Sequence, residues 1–274
     1  MSTLISRPIK RFFAFGCSFT NWCTATWADI IAYDLGVEYY NYGRPGAGNQ
    51  YIFNMIMQAD SLYNFDEDDL IIVEWTNVAR EDKYKNQNWT TPGNIYTQQD
   101  YDMKYVEQWA DFEGYLIRDL AVIKATSLFL KNKKLQHHIL SMAPLFTVNS
   151  QWENIPVNST HTINKISELY KPYIDEIHKS FFEILWNGSI RDKVNMETRL
   201  YGRLVDGHPS PAEHYTFLLK TFNHKFSKKT SDTVAAYNSN VEHIMLNIDF
   251  AKTSLGPGFF DHLRFVKSQE IKQL

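Results

Sequence analysis

Only two of the 274 residues are cysteine, Cys17 and Cys23, and that scarcity removes a first group of folds. Two thiols six positions apart cannot staple a disulfide scaffold, and no Cys/His cluster has the spacing of a zinc site. The chain must therefore rely on a hydrophobic core, in a reduced compartment and with no metal or organic cofactor expected. Long apolar runs are missing too. No stretch approaches the roughly 18 residues a membrane helix needs, and the start, MSTLISRPIK, lacks the apolar centre of a secretory signal. A cytoplasmic or particle-associated protein with no membrane partner is the expectation. Excess positive charge is absent as well: 28 Lys and Arg stand against 31 Asp and Glu, so no global field attracts nucleic acid. The local clusters KNKK (131–134) and KFSKK (225–229) read as solvated helix ends.

Aromatics, by contrast, are abundant, with 16 Tyr, 18 Phe and 7 Trp. Much of that must be core. Several Trp and Tyr nevertheless sit among amides and hydroxyls, in NQNWTTPGNIYTQQDYDMKY (86–105) and NSQWENIPVNS (149–159). An aromatic face with a polar rim suits stacking on a sugar ring; simple anchoring of a loop is the plainer reading.

The first 75 residues alternate two periodicities. RFFAFG (11–16) is a short apolar run closed by glycine, read as a buried strand. WADIIAYDL (27–35) has helical spacing and stops before Gly36. VEYYNYG (37–43) predicts a second strand running into the GRPGAG turn, and NQYIFNMIMQADSLY (49–63) a second helix. DLIIVEW (69–75), almost continuously apolar, predicts a central strand. Strand, helix, strand, helix, strand at these intervals implies βαβ units and a parallel sheet covered on both faces.

From 76 to 105 the chain turns polar, which predicts a long loop over the sheet's carboxyl edge, where open α/β sheets bind ligands. Helical periodicity returns at 109–133, and HHILSMAPLF (137–146) predicts a fourth strand. Helices are expected around 163–185 and at 211–226, the latter opening on Pro211 behind a Ser210/Glu213 capping box. The segment from 187 to 205 is poor in strand character, and residues 227–274, with their GPGFF turn, cannot be assigned to the sheet. One α/β domain over 1–226, with insertions near 76–108 and 147–162, and a C-terminal extension over 227–274 packed on it, is the expected organisation.

In a doubly wound sheet the residues just past several strand ends share one edge. That edge would carry Ser18, the 43–48 turn and Asn77, while DGHPSPAEH (206–214) offers Asp206 and His208 before a helix. Each type has a task in acyl transfer. A serine hydroxyl needs a base to take its proton, histidine has the right pKa, and a carboxylate behind the imidazole fixes its tautomer. Backbone N–H groups and a side-chain amide would stabilise the oxyanion.

The blocks FGCSFT, NYGRPGAGN, IIVEWTN and DGHPSPAEH resemble, in this order, the marker blocks of the SGNH or GDSL-type hydrolase superfamily. The resemblance implies a three-layer α/β/α sandwich, flavodoxin-like, with a mostly parallel sheet of about five strands. It also implies Ser18 as nucleophile, His208 and Asp206 as base and acid, and an oxyanion hole from Ser18, Gly46 and Asn77. Arg80, Trp75 and Trp89 are candidate substrate contacts. Trp75 and Thr76 stand before Asn77 where the family usually has glycines.

Other readings are weaker. Cys17 as nucleophile would point away from the serine into the core. Asp261/His262 are adjacent in sequence and cannot easily bond while facing one site. No spacing singles out a glycosidase carboxylate pair, and GRPGAGN lacks the Lys-Ser/Thr of a phosphate loop. The expected function is a serine esterase acting on a small-molecule or glycan ester, with O-acyl (acetyl) groups on a carbohydrate the leading substrate class. An acyltransferase to a sugar acceptor and a non-catalytic carbohydrate-binding or assembly module remain alternatives.

Overall fold

A computed structural model of the chain describes residues 2–96, 101–145, 160–202, 206–247 and 266–271. In chain order the elements are β1 (Arg11–Phe15), α1 (Trp27–Leu35), β2 (Glu38–Asn41), α2 (Asn49–Tyr63), β3 (Asp69–Trp75), β4 (Lys83–Lys85) and β5 (Asn88–Thr90). There follow α3 (Met103–Trp109), α4 (Phe112–Asn132), β6 (Gln136–Ser141), α5 (Thr160–Ile174), α6 (Phe181–Leu185), α7 (Ile190–Tyr201), α8 (Pro211–Thr221) and α9 (Lys228–Asn247).

Four strands form a parallel sheet in the order β2-β1-β3-β6. Among the described residues, the place of a fifth strand is held by a single bridge, Ile177 beside Ile139, with the His178 N–H donating to the Ile139 carbonyl at 2.9 Å. This bridge also interrupts the helix expected over 163–185. The chain leaves α5, touches the sheet, and restarts as α6 under a capping box in which Glu183 accepts from the Ser180 N–H at 2.7 Å.

The strands read as near-continuous apolar runs because both sheet faces are covered. Cross-strand aromatics lock the register of β1 against β2: Phe12 stacks on Tyr39 with ring centres 5.3 Å apart, and Phe13 on Tyr40 at 4.7 Å. Burying each such phenylalanine contributes about 2 kcal/mol. Helices α1, α6, α8 and α9 pack together as one layer, and α2, α4 and α5 as the other, which makes the α/β/α sandwich.

Three segments hold secondary structure that the sequence periodicity does not mark. The stretch at 76–105 contains a two-stranded antiparallel hairpin, β4–β5, turned by Asn86 and Gln87, both left-handed (φ 52° and 60°). Residues 190–201 form α7, and 228–247 form α9 against α8 and α1. The tryptophan-bearing loop at 149–159, the GPGFF turn and the pair Asp261/His262 lie outside the described residues. Among the described residues no helix is long and apolar enough to cross a membrane.

Candidate active site

Because β1 was first in the sheet's centre, its carboxyl end opens at the point where the chain turns to either side. Gly16 begins the turn there. A Cβ at that position would meet Glu74 Oε2 at 2.8 Å and overlap the Thr20 hydroxyl, so only glycine fits. The N–H groups of Thr20 and Asn21 both donate to the Cys17 carbonyl, at 3.0 and 3.1 Å, closing residues 17–21 into a tight loop. Within that loop the two candidate nucleophiles separate. Cys17 is fully buried, and burial together with the nearby Glu74 pushes its thiol up to about 11, which leaves it an inert core residue. Ser18 instead lines a cavity.

That cavity measures about 490 Å³, and Ser18, Gly46, Asn77, Arg80 and His208 all line it. Gly46 has φ +76°, and a Cβ there would overlap the Thr91 carbonyl, so the 44–46 turn can approach the segment after β5 this closely only with glycine. Asn77 Oδ1 accepts from the Ala79 N–H at 2.7 Å. A backbone donor can pair only with the amide oxygen, so the orientation is fixed and Nδ2 is the end left for the cavity. The N–H groups of Ser18 and Gly46 likewise have no protein acceptor among the described residues.

His208 enters from the loop before α8. Its Nδ1 lies 2.6 Å from Asp206 Oδ1, and the Trp22 indole N–H donates to the other carboxylate oxygen at 2.9 Å. Trp22 also stacks on the imidazole, with ring centres 3.7 Å apart, while Phe19 meets the ring edge-on at 5.7 Å. Burial would raise the Asp206 carboxyl, but the charge and hydrogen bond of His208, with the Trp22 N–H, outweigh it and hold the group below the usual range. An ionised Asp206 accepts from Nδ1–H, so the neutral imidazole carries its lone pair on Nε2.

Behind the dyad lies a buried ion cluster. The Asp206 N–H donates to Glu197 at 3.1 Å; Lys193 pairs with Glu197 at 3.0 Å and with Glu213 at 2.7 Å. Glu213 also closes the capping box of α8, accepting from the Ser210 N–H at 2.8 Å. Helices α7 and α8 are thereby tied to the backbone of Asp206, whose carboxylate orients His208.

A second polar network fixes the tail of β3. Asn49 Oδ1 accepts from the Thr76 N–H at 2.8 Å, and its Nδ2 donates to the Thr76 carbonyl and to Asp119, at 3.1 and 2.7 Å. Arg118 pairs with Asp119 at 2.6 Å and donates to the Arg80 carbonyl at 2.8 Å. Asp82 accepts from the Gly48 and Tyr51 N–H groups, each at 2.8 Å, so a loop residue after β3 caps α2 from outside the helix. Beneath the Ser18 loop, burial pushes the Glu74 carboxyl up to about 7, partly offset by its hydrogen bond from the Thr20 hydroxyl and the charge of Arg80.

The remaining sequence candidates fall elsewhere. Trp75 is wholly buried in β3 and does not line the cavity: in a strand covered on both faces its side chain has nowhere to go but the core, so it cannot touch a substrate there. Trp89 lines a separate cavity beside the hairpin. Arg80 lines the Ser18 cavity, donates to the Ala47 carbonyl at 2.8 Å, and has no carboxylate within ion-pair distance among the described residues. Among the described residues no group of three or more His, Cys, Asp and Glu is placed to hold a metal ion. Sequence reasoning missed Trp22, Asn49, Asp119, Lys193 and Glu197. Their roles come from partners at least 20 positions away for most of these contacts, and no local pattern marks them.

No protein-family model matches the chain, and no curated protein matches it. Solved structures to which it is similar include a member of the lipolytic G-D-S-L family from Veillonella parvula, at 14% identity over 79% of this chain and 100% of that one, with a TM-score of 0.37. A lipase from a goat rumen metagenome is similar at 12% identity over 77% of this chain and 96% of that one, TM-score 0.38. An acetyl xylan esterase is similar at 12% identity over 70% and 85% respectively, TM-score 0.35.

Proposed function

We propose that the protein is a serine esterase of the GDSL type that removes O-acyl groups, acetyl foremost, from a carbohydrate. The observation that carries this reading is the His208–Asp206 pair at 2.6 Å, with His208 lining the same cavity as Ser18. Ser18 Oγ attacks the ester carbonyl carbon while His208 Nε2 takes its proton. The resulting oxyanion is met by the N–H groups of Ser18 and Gly46 and by Asn77 Nδ2; one such donor contributes about 3 kcal/mol to lowering the barrier. The tetrahedral intermediate collapses, the C–O bond to the alcohol breaks, and the alcohol leaves with the proton from His208. Water then attacks the acyl-Ser18 ester by the same route, releasing the carboxylic acid and restoring the serine. The carbohydrate part of the reading is supported by the tryptophan and tyrosine residues set among amides and hydroxyls in the sequence at 86–105.

The test is turnover of p-nitrophenyl acetate by the wild type beside Ser18→Ala and His208→Ala. Each variant is expected to lose about 10³-fold or more, since members of one catalytic unit fail together. A Ser18→Ala protein as active as the wild type would overturn the assignment.

A further inference from the structure

A second cavity, about 420 Å³, lies on the hairpin side of the 44–46 turn. Three rings shape it. Trp89 meets Tyr84 at 5.4 Å and 60°, and Tyr51 at 5.6 Å and 86°, so the rings make an angled aromatic wall. Tyr84, the cross-strand partner of Trp89 in the hairpin, is 57% exposed and so presents its ring to solvent at the cavity. Gln58 and Gln87 also line the cavity, and their side-chain amides make no hydrogen bond among the described residues. Among the described residues no carboxylate lines it.

This combination selects a ligand chemistry. An uncommitted amide presents a donor and an acceptor side by side, which matches the paired donor and acceptor character of vicinal hydroxyls. The C–H face of a pyranose suits an aromatic wall. Arg44, the one cation among the described lining residues, is already engaged, donating to the Trp89 carbonyl at 2.5 Å, so those residues lack the basic cluster a polyphosphate or nucleic acid would need.

The cavity is also rigid and well aimed. The two left-handed turn residues, Asn86 and Gln87, form the mirror-image turn that matches the twist of a hairpin. Arg44 ties the hairpin to the 44–46 turn from one side, and the Thr91 hydroxyl donates to the Pro45 carbonyl at 2.8 Å from the other. Pro45 and Gly46 of the same turn line the Ser18 cavity. The two cavities are neighbours across three residues.

We propose that the hairpin cavity is a glycan subsite, holding pyranose rings of the chain whose ester lies over Ser18. The inference rests on the carbohydrate-ester reading above and gives it a second binding locus. Its test uses the full chain carrying Ser18→Ala and four probes: cellohexaose, xylohexaose, chitohexaose and hexagalacturonate. Saturation-transfer NMR is expected to mark the ring protons of at least one. In the same background Trp89→Ala is expected to weaken that binding about tenfold, and Tyr84→Ala, at an exposed site outside the core, to weaken it in the same direction. No transfer to any of the four, or binding indifferent to both variants, overturns the subsite. Wild-type turnover of p-nitrophenyl acetate separates the two claims. Binding without turnover removes the esterase and keeps the subsite; turnover without binding does the reverse.

Discussion

Two side chains around the cavity have consequences that can be isolated one at a time. Trp22 both stacks on His208 and donates to Asp206. Trp22→Phe keeps a ring and deletes the donor, and loss of a hydrogen bond to a buried carboxylate costs roughly 1–3 kcal/mol. The Asp206 carboxyl, now held below its usual range, would rise. The expected result is a several-fold drop in kcat and an acid limb of the pH–rate profile moved to higher pH; a profile superimposable on the wild type would remove Trp22 from the mechanism. Glu74 titrates in the opposite sense. Folded, it keeps its proton up to about pH 7, whereas an unfolded glutamate releases it near about 4.3. Between those values the folded state binds more protons, so stability falls as pH rises through the window. Glu74→Gln can still accept from the Thr20 hydroxyl but cannot ionise. Urea unfolding at pH 5 and pH 8 is expected to show a smaller loss for Glu74→Gln than for the wild type, and equal losses would place the pH dependence elsewhere.

Elements were legible where one face repeats cleanly and opaque where buried charge breaks the repeat. Helices α1 and α2 and strand β3 fall on the residues that the periodicity marks, because their apolar positions recur without interruption. Helix α7 went unread because Lys193 and Glu197, charged and yet buried, occupy its inner face beside Ile190 and Val194. Only the tertiary pairing with Glu213 makes those positions tolerable, and a sequence pattern cannot express it. The hairpin was hidden by its brevity, three residues a strand, although its turn residues were a usable signal. The buried cluster gives α7 its own prediction. Lys193→Met removes the ammonium that Glu197 and Glu213 share, and breaking a buried pair from one side costs about 3–5 kcal/mol. A variant of that stability, with esterase activity reduced further than its folded fraction, is the expected outcome of parallel urea unfolding and p-nitrophenyl acetate assays. Lys193→Met/Glu197→Gln should recover part of the stability by removing one of the two carboxylates that Lys193 paired with.

At the scale of the whole molecule, the site gathers residues from after β1, after β2, after β3 and before α8, and each of these is marked in sequence by its place at a strand end or helix start. What positions them, Asn49, Asp119 and Lys193, is not so marked, because a buried polar residue in a helix is indistinguishable from a surface one until the layers are assembled. The C-terminal residues show the same limit. They carry no strand pattern, yet they cover the outer edge of the sheet: the Asn41 N–H donates to Ser268 Oγ at 3.0 Å, and the Gln269 N–H donates to the Tyr39 carbonyl at 2.8 Å. β2 is an outer strand, and an uncovered outer strand is a template for pairing with another chain. Gln269→Pro deletes the donor to Tyr39 while leaving every site residue in place. A loss of about 1 kcal/mol in stability is expected. Light scattering after size-exclusion chromatography should then show association that grows with concentration. If the variant melts and elutes as the wild type does, β2 is protected by its own short length, and residues 266–271 merely lie beside it.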